Sequence, residues 1–141
     1  FLNYADSEIV REKEKVMNYS RQRETILETL KNNPIHPTAD QLYELLNTRK
    51  NEQQIGIATV YRNLKKLADN GEIKRITGLD NSEHFDHNIS EHYHFICKKC
   101  KQIYDIDSNI APDIFKNIEE ATGFVIERYD IIAEGICKDC H

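Results

Sequence analysis

All four cysteines of this chain fall in two Cys-x-x-Cys pairs, Cys97-Lys98-Lys99-Cys100 and Cys137-Lys138-Asp139-Cys140. Two intervening residues let both thiolates of a knuckle point at one tetrahedral ion, and two such knuckles complete a closed four-cysteine zinc site. The 36-residue gap between the pairs exceeds the usual ribbon spacing, so the fold itself has to carry the second pair back to the first. Two disulfides are one alternative, disfavoured in a reducing cytosol, and a thioredoxin-type redox pair is another, which needs a βαβ context this stretch lacks. A closed site leaves no position for water or substrate, so these cysteines predict a structural ion and not a catalytic one.

The 141 residues suffice for one medium domain or two small ones sharing a hinge, and 39% hydrophobic with 30% charged residues is an ordinary globular composition. No apolar run approaches the roughly 18 residues of a membrane helix. The start, FLNYADSEIVREKEK, is charged where a secretory signal would be apolar, so the expectation is a cytoplasmic protein. The net charge of −5 is unevenly divided: residues 1–80 hold 13 Lys and Arg against 12 Asp and Glu, while residues 81–141 hold 6 against 12. Such asymmetry suits a DNA-contacting half, where local positive charge governs counterion release, joined to an acidic half that attracts cations; a solvated acidic face is the plainer reading.

Periodicity predicts an α+β chain. Residues 6–18 read as a charged helix with Ile9, Val16 and Met17 as its apolar contacts, and a second helix follows from Ser20, a possible N-cap, to Leu30, halted by Asn32-Asn33-Pro34. Thr38 and Gln41 have capping-box spacing ahead of Leu42, Leu45 and Leu46, and Thr48 to Gly56 is a polar loop. The next helix, Ile57 to Asn70, carries the apolar stripe Ile57, Val60, Tyr61, Leu64, Leu67 and Ala68, with Asn70-Gly71 as its C-cap signal. Glu72 to Thr77 and Glu83 to Asp86 then pair as a hairpin around Gly78 to Ser82, which completes the winged helix-turn-helix order. In that fold the last helix enters the major groove. Its outward residues Thr59, Arg62, Asn63, Lys65 and Lys66 are therefore DNA-binding candidates, although five cations between residues 56 and 75 also suit a merely soluble face. Beyond residue 90, strands are expected at Tyr93 to Cys97, Ile103 to Ile106 and Val125 to Ala133, with a helix from Ala111 to Thr122.

A second constellation lies upstream of the first cysteine pair. His92 and His94 stand two apart on a predicted strand and share a face. Asp105 is on the next strand, Asp86 ends the wing between His84 and His87, and His36 precedes the third helix. Three imidazoles with two carboxylates form a mixed shell that favours Fe(II) or Mn(II). One ion ligated from both halves would fix the angle between them, which converts metal occupancy into DNA affinity. A metalloenzyme using His92, His94 and a carboxylate as a facial triad is the alternative, and it requires open coordination positions.

The segments HPTADQLYELL (36–46), IATVYRNLKKLADNGEIKRI (57–76), HFDH (84–87), EHYHFICKKCKQIYDI (91–106) and EGICKDC (134–140) resemble the ferric uptake regulator (Fur) family in order and spacing. The resemblance implies a winged-helix DNA-binding domain with hinge over 1–86 and a metal-binding α/β dimerisation domain over 87–141. It implies a homodimer that represses while metal is bound, with Arg21, Thr59, Tyr61, Arg62, Asn63, Lys65 and Lys66 at the DNA. Within the family the chain looks most like the peroxide-stress repressors. Their regulatory ligands are matched by His36, Asp86, His92, His94 and Asp105, their oxidation-sensitive histidines by His36 and His92, and their structural zinc cysteines by the four here. In such proteins Fe(II) with hydrogen peroxide oxidises a ligand histidine and lifts repression, while Mn(II) represses without that sensitivity. The same architecture sensing iron, zinc or manganese availability is the runner-up. Asp105 stands where iron and zinc sensors often carry Glu, and a histidine common in iron sensors is absent near Arg128-Tyr129.

Overall fold

The computed structural model describes residues 4–33, 35–48 and 54–141. Pro34 and most of the polar loop expected at Thr48 to Gly56 lie outside the described residues. The chain divides into two compact units, one running to Ile76 and taking in Glu83–Ile89, the other holding Thr77–Ser82 and Ser90–His141.

The first unit is built from α1 (Tyr4–Asn32), α2 (Ala39–Asn47), α3 (Ile57–Asp69) and the strands β1 (Lys74–Thr77) and β2 (Glu83–Asp86). Where two helices were expected before residue 30 there is one, because no Gly or Pro interrupts residues 4–32 and a helix once nucleated extends through neutral residues. Ser20 is thus an exposed mid-helix residue and not a cap. Ile9, Val16 and Met17 are exposed, too sparse on a charged helix to make a stripe; burial begins only at Ile26. The helix ends where Asn33 donates its main-chain N–H to Leu30 O and its side-chain amide to Thr29 O.

Entry to α2 follows the predicted chemistry: Thr38 Oγ1 accepts from Gln41 N at 3.2 Å while Gln41 Oε1 accepts from Thr38 N at 3.0 Å. In α3, Val60, Leu64 and Leu67 are fully buried and join Ile26, Leu30 and Leu42 in one apolar cluster. Ile57 and Tyr61, expected in that stripe, are instead 41% and 50% exposed. At 100° per residue they flank the buried line rather than lie on it, and the Tyr61 hydroxyl bonds Asp40 Oδ1 of α2 at 3.1 Å. Asn70 and Gly71 close α3, with Gly71 at φ +75°, a conformation glycine adopts without crowding. The β1–β2 hairpin returns Phe85 to the helical core, so the order is three helices and a wing.

The second unit has β3 (Tyr93–Cys97) at its centre. Strand β4 (Ile103–Ile106) lies antiparallel to it with His94 opposite Asp105, and β5 (Ile132–Gly135) lies parallel with Cys97 opposite Gly135. A 3₁₀ turn, Ser108–Ile110, leads to α4 (Ile114–Thr122), which Gly123 caps at φ +73°. The helix starts three residues later than expected and leaves Pro112 ahead of it, since the chain turns first through Asp107, whose carboxylate accepts from Asn109 N. The strand expected from Val125 shortens at its front. Residues 124–131 find no ladder among the described residues until Ile131 O accepts from His94 N, and alternation without a neighbour does not make a strand. No helix among the described residues is long and apolar enough to cross a membrane.

Candidate metal centres

The parallel pairing of β3 and β5 explains how a 36-residue gap is closed. Cys97 is the last residue of β3 and sits opposite Gly135, so the chain leaving β5 delivers Cys137 beside it within two residues. Lys98 N donates to Gly135 O at 2.7 Å and fastens the two knuckles together. Each of the four cysteines presents a sulfur, all within 4.8 Å of one another. Tetrahedral zinc with bonds of about 2.3 Å demands sulfur separations of about 3.8 Å, and Cys100 Sγ and Cys137 Sγ stand 3.8 Å apart. None of the four is in a disulfide. The donor set therefore fits a closed tetrathiolate ion.

Main-chain N–H groups point at the sulfurs as knuckles require. Cys97 Sγ accepts from Cys100 N and from Cys137 N, each at 3.4 Å. Those donors, Cys100 first, bring the Cys97 thiol down to about 6. The Tyr104 hydroxyl lowers Cys137 in the same way, and the crowding of thiols, Cys137 first, pushes Cys140 up to about 12. Lys101 takes a left-handed φ of +65° as its N–H turns back to Cys97 O at 2.9 Å.

The imidazole and carboxylate residues form one set in each unit. In the second unit His92 Nε2 and His94 Nε2 lie 3.2 and 3.4 Å from Asp105 Oδ1, with the two rings edge to face at 4.5 Å between centroids. This follows from the strand geometry: residues two apart share a face, and the β3–β4 register sets Asp105 directly opposite His94. In the first unit His36 Nε2 is 3.8 Å from Asp86 Oδ2, both side chains almost fully buried. Asp86 Oδ1 is engaged by Asn88 N at 2.9 Å and lies 3.9 Å from His87 Nδ1, which directs Oδ2 toward His36. Buried polar groups of this kind are retained when paired or ligating, and each set has the mixed nitrogen and oxygen character that suits Fe(II) or Mn(II).

On α3, Arg62, Lys65 and Lys66 are exposed, while Thr59 and Asn63 are half-buried. Arg62 Nη2 donates to Thr59 Oγ1 at 3.2 Å and Asn63 Nδ2 to Thr59 O at 2.9 Å. Arg75 from β1 bonds Asp69 Oδ1 at 3.0 Å and steadies the end of α3 against the wing. Arg21 is exposed midway along α1. Two residues have roles that the sequence alone did not assign. Tyr104 acts on the thiolates, and nothing in its spacing signals this. His84 holds the main chain at His36, with Nδ1 2.7 Å from His36 O; its position two before Asp86 on β2, hence on the same face, was the available signal.

The model of the ferric uptake regulator family matches residues 14–133. The peroxide-responsive repressor PerR of Staphylococcus epidermidis is 34% identical over 119 residues, 84% of this chain and 78% of that protein. Among solved structures, the Campylobacter jejuni peroxide stress regulator superposes with a TM-score of 0.76 at 28% identity, covering 94% of this chain and 98% of that one. The ferric uptake regulator of Francisella tularensis, solved with iron, gives 0.71 at 28% identity over 84% and 89%.

Proposed function

This chain belongs to the ferric uptake regulator family, and from that premise we propose that it is a homodimeric repressor, bound to operator DNA while Fe(II) or Mn(II) occupies a regulatory site and released when hydrogen peroxide oxidises a ligand histidine. It is a metal-responsive regulator of that family. The named relatives are repressors and regulators, and an enzyme has no support among them.

The observation that carries this reading is the mixed donor set, separate from the thiolates: Asp105 Oδ1 at 3.2 and 3.4 Å from two imidazoles, and His36 against the buried Asp86. In this reading His36, Asp86, His92, His94 and Asp105 share one ion, residues 1–86 read DNA through α3, and residues 87–141 dimerise. The four cysteines hold a structural zinc ion that takes no part in signalling. A ligand set drawn from both units ties metal occupancy to the posture of α3, because the ion favours whichever posture brings all five donors together. Iron, when bound, supplies the electrons that cleave peroxide beside its ligands. His36 and His92 are the side chains that would take up oxygen there, and an oxidised imidazole ligates poorly. The likeness to a peroxide-responsive repressor and a peroxide stress regulator supports this branch over plain metal sensing.

The test uses duplex DNA selected from random sequence by the manganese-loaded protein. Iron-loaded protein should lose that DNA after dilute peroxide and gain oxygen mass on a peptide containing His36 or His92, while manganese-loaded protein keeps it. Equal behaviour of the two forms would leave a sensor of metal availability.

A further inference from the structure

We propose that His84 is a positioning residue for the regulatory site, its imidazole clamping the main chain of His36 in the left-handed conformation that turns this side chain toward Asp86. The inference rests on the reading above that His36 and Asp86 are metal ligands.

His36 has φ +52°, a region that residues other than glycine enter in only a few per cent of cases, histidine more often than most. Its neighbour Pro37 restricts it further, because the proline ring crowds the residue before it. Such a conformation persists only where its surroundings over-determine it. The surroundings here are a short tie between the loop and β2. His84 Nδ1 donates to His36 O at 2.7 Å, Phe85 N donates to Pro37 O at 3.0 Å, and Thr38 and His84 form an isolated antiparallel bridge. Two of these ties are made by main chain alone. The imidazole bond is the one that depends on which side chain stands at 84.

A carbonyl oxygen only accepts, so the contact requires the proton on Nδ1 of His84, a condition met by one neutral tautomer and by the imidazolium alike. Alternation along β2 gives the clamp a second property. His84 and Asp86 lie on one face while Phe85 between them is buried in the helical core. One strand thus carries the ligand Asp86 and the clamp for the ligand His36, and the anchored phenyl ring fixes the register of both, since a slip of one residue would turn both away. His36 and Asp86 are consequently set 3.8 Å apart before any ion arrives. Preorganised donors bind without the cost of ordering a loop.

Three variants test this in zinc-replete protein, with Mn(II) as the probe. His84→Leu fills the space without a donor, His84→Asn keeps an N–H as many bonds from Cβ as Nδ1, and His84→Gln moves it one bond farther. The clamp predicts that Mn(II) affinity falls about tenfold in His84→Leu, the equivalent of one net hydrogen bond. His84→Asn should recover most of it. In metal-free protein, amide exchange over residues 35–42 should quicken in His84→Leu and slow again in His84→Asn. Should the leucine variant not fold, tighter Mn(II) binding by His84→Asn than by His84→Gln supports the clamp and equal binding overturns it. Wild-type affinity and exchange in a folded His84→Leu also overturn it. His36→Ala serves as reference: if it binds Mn(II) as well as the wild type, the ligand assignment beneath the proposal falls, whereas loss of Mn(II) there with none in His84→Leu refutes the clamp alone.

Discussion

Removing the proposed zinc ion should unfold the second unit and leave the first standing. In the first unit eleven buried apolar residues, from Ile26 to Phe85, form one cluster. In the second, the buried apolar side chains other than cysteine are Tyr93, Ile96 and Ile103. At about 1.5–3 kcal/mol for each fully buried side chain, those three supply roughly 5–9 kcal/mol. A structural zinc ion in small metal-dependent domains contributes on the order of 10–16 kcal/mol, more than that core, and the entropy of ordering β3, β4 and β5 opposes both. Cys97 and Cys137 are themselves buried at the join of β3 and β5, so losing the ion leaves thiols crowded where the sheet is held together. The assay is amide exchange read by mass spectrometry on protein stripped by a strong chelator under reducing conditions, and on Cys137→Ser. Protection should vanish over residues 93–97 and 103–106 while α2 and α3 keep theirs. Unchanged protection of β3 after verified zinc loss would refute the reasoning, because it would mean the three apolar side chains suffice.

Further outcomes follow from single contacts. Thr38→Ala removes the reciprocal cap of α2 and should cost about 1 kcal/mol, seen as a lower thermal midpoint with zinc content unchanged. Arg62→Ala and Lys65→Ala should each weaken DNA binding and reduce the salt dependence by about one phosphate's worth without altering metal content; full-strength binding by both would take α3 out of the groove. The main-chain N–H groups at Cys97, Cys100 first, hold its thiol at about 6, so the folded unit binds that proton less readily than the unfolded chain. The stability Cys97 contributes is therefore complete above the ordinary thiol range and lost as the pH falls through about 6, seen as zinc released from about that pH downward. Zinc retention unchanged well below about pH 6 would contradict this arrangement.

Local chemistry was legible where a single spacing governs it. Bringing the two Cys-x-x-Cys knuckles together takes the β3–β5 pairing, whereas each knuckle, the Thr38–Gln41 cap and the strands Tyr93–Cys97 and Ile103–Ile106 follow from short-range rules. The same holds for His92, His94 and Asp105, since strand period and antiparallel register bring them together. What failed depended on longer-range competition. A serine in a favourable context looked like a cap at position 20, yet nothing before it ended the preceding helix. Tyr61 looked like core by its apolar ring, whereas the hydroxyl found Asp40 at the surface. The alternation of Val125 to Ala133 is that of a strand, but a strand is defined by its neighbour, and β3 meets this segment only from Ile131. The left-handed backbone at His36 and the hold of His84 on it arise from a loop meeting a strand 48 residues later, and the alternation along β2 signals only that His84 and Asp86 share a face.

The central claim is that one ion draws ligands from both units. Titration of zinc-replete protein with Mn(II), followed by electron paramagnetic resonance, tests it most directly in wild type, His36→Ala and His94→Ala. The account predicts one tight Mn(II) per wild-type chain and its loss in each variant, accompanied in both by loss of binding to the selected DNA. A variant that keeps the full complement of tightly bound Mn(II) after losing the ligand from either unit would show that the ion is not shared, and the link between metal and DNA would have to be sought elsewhere.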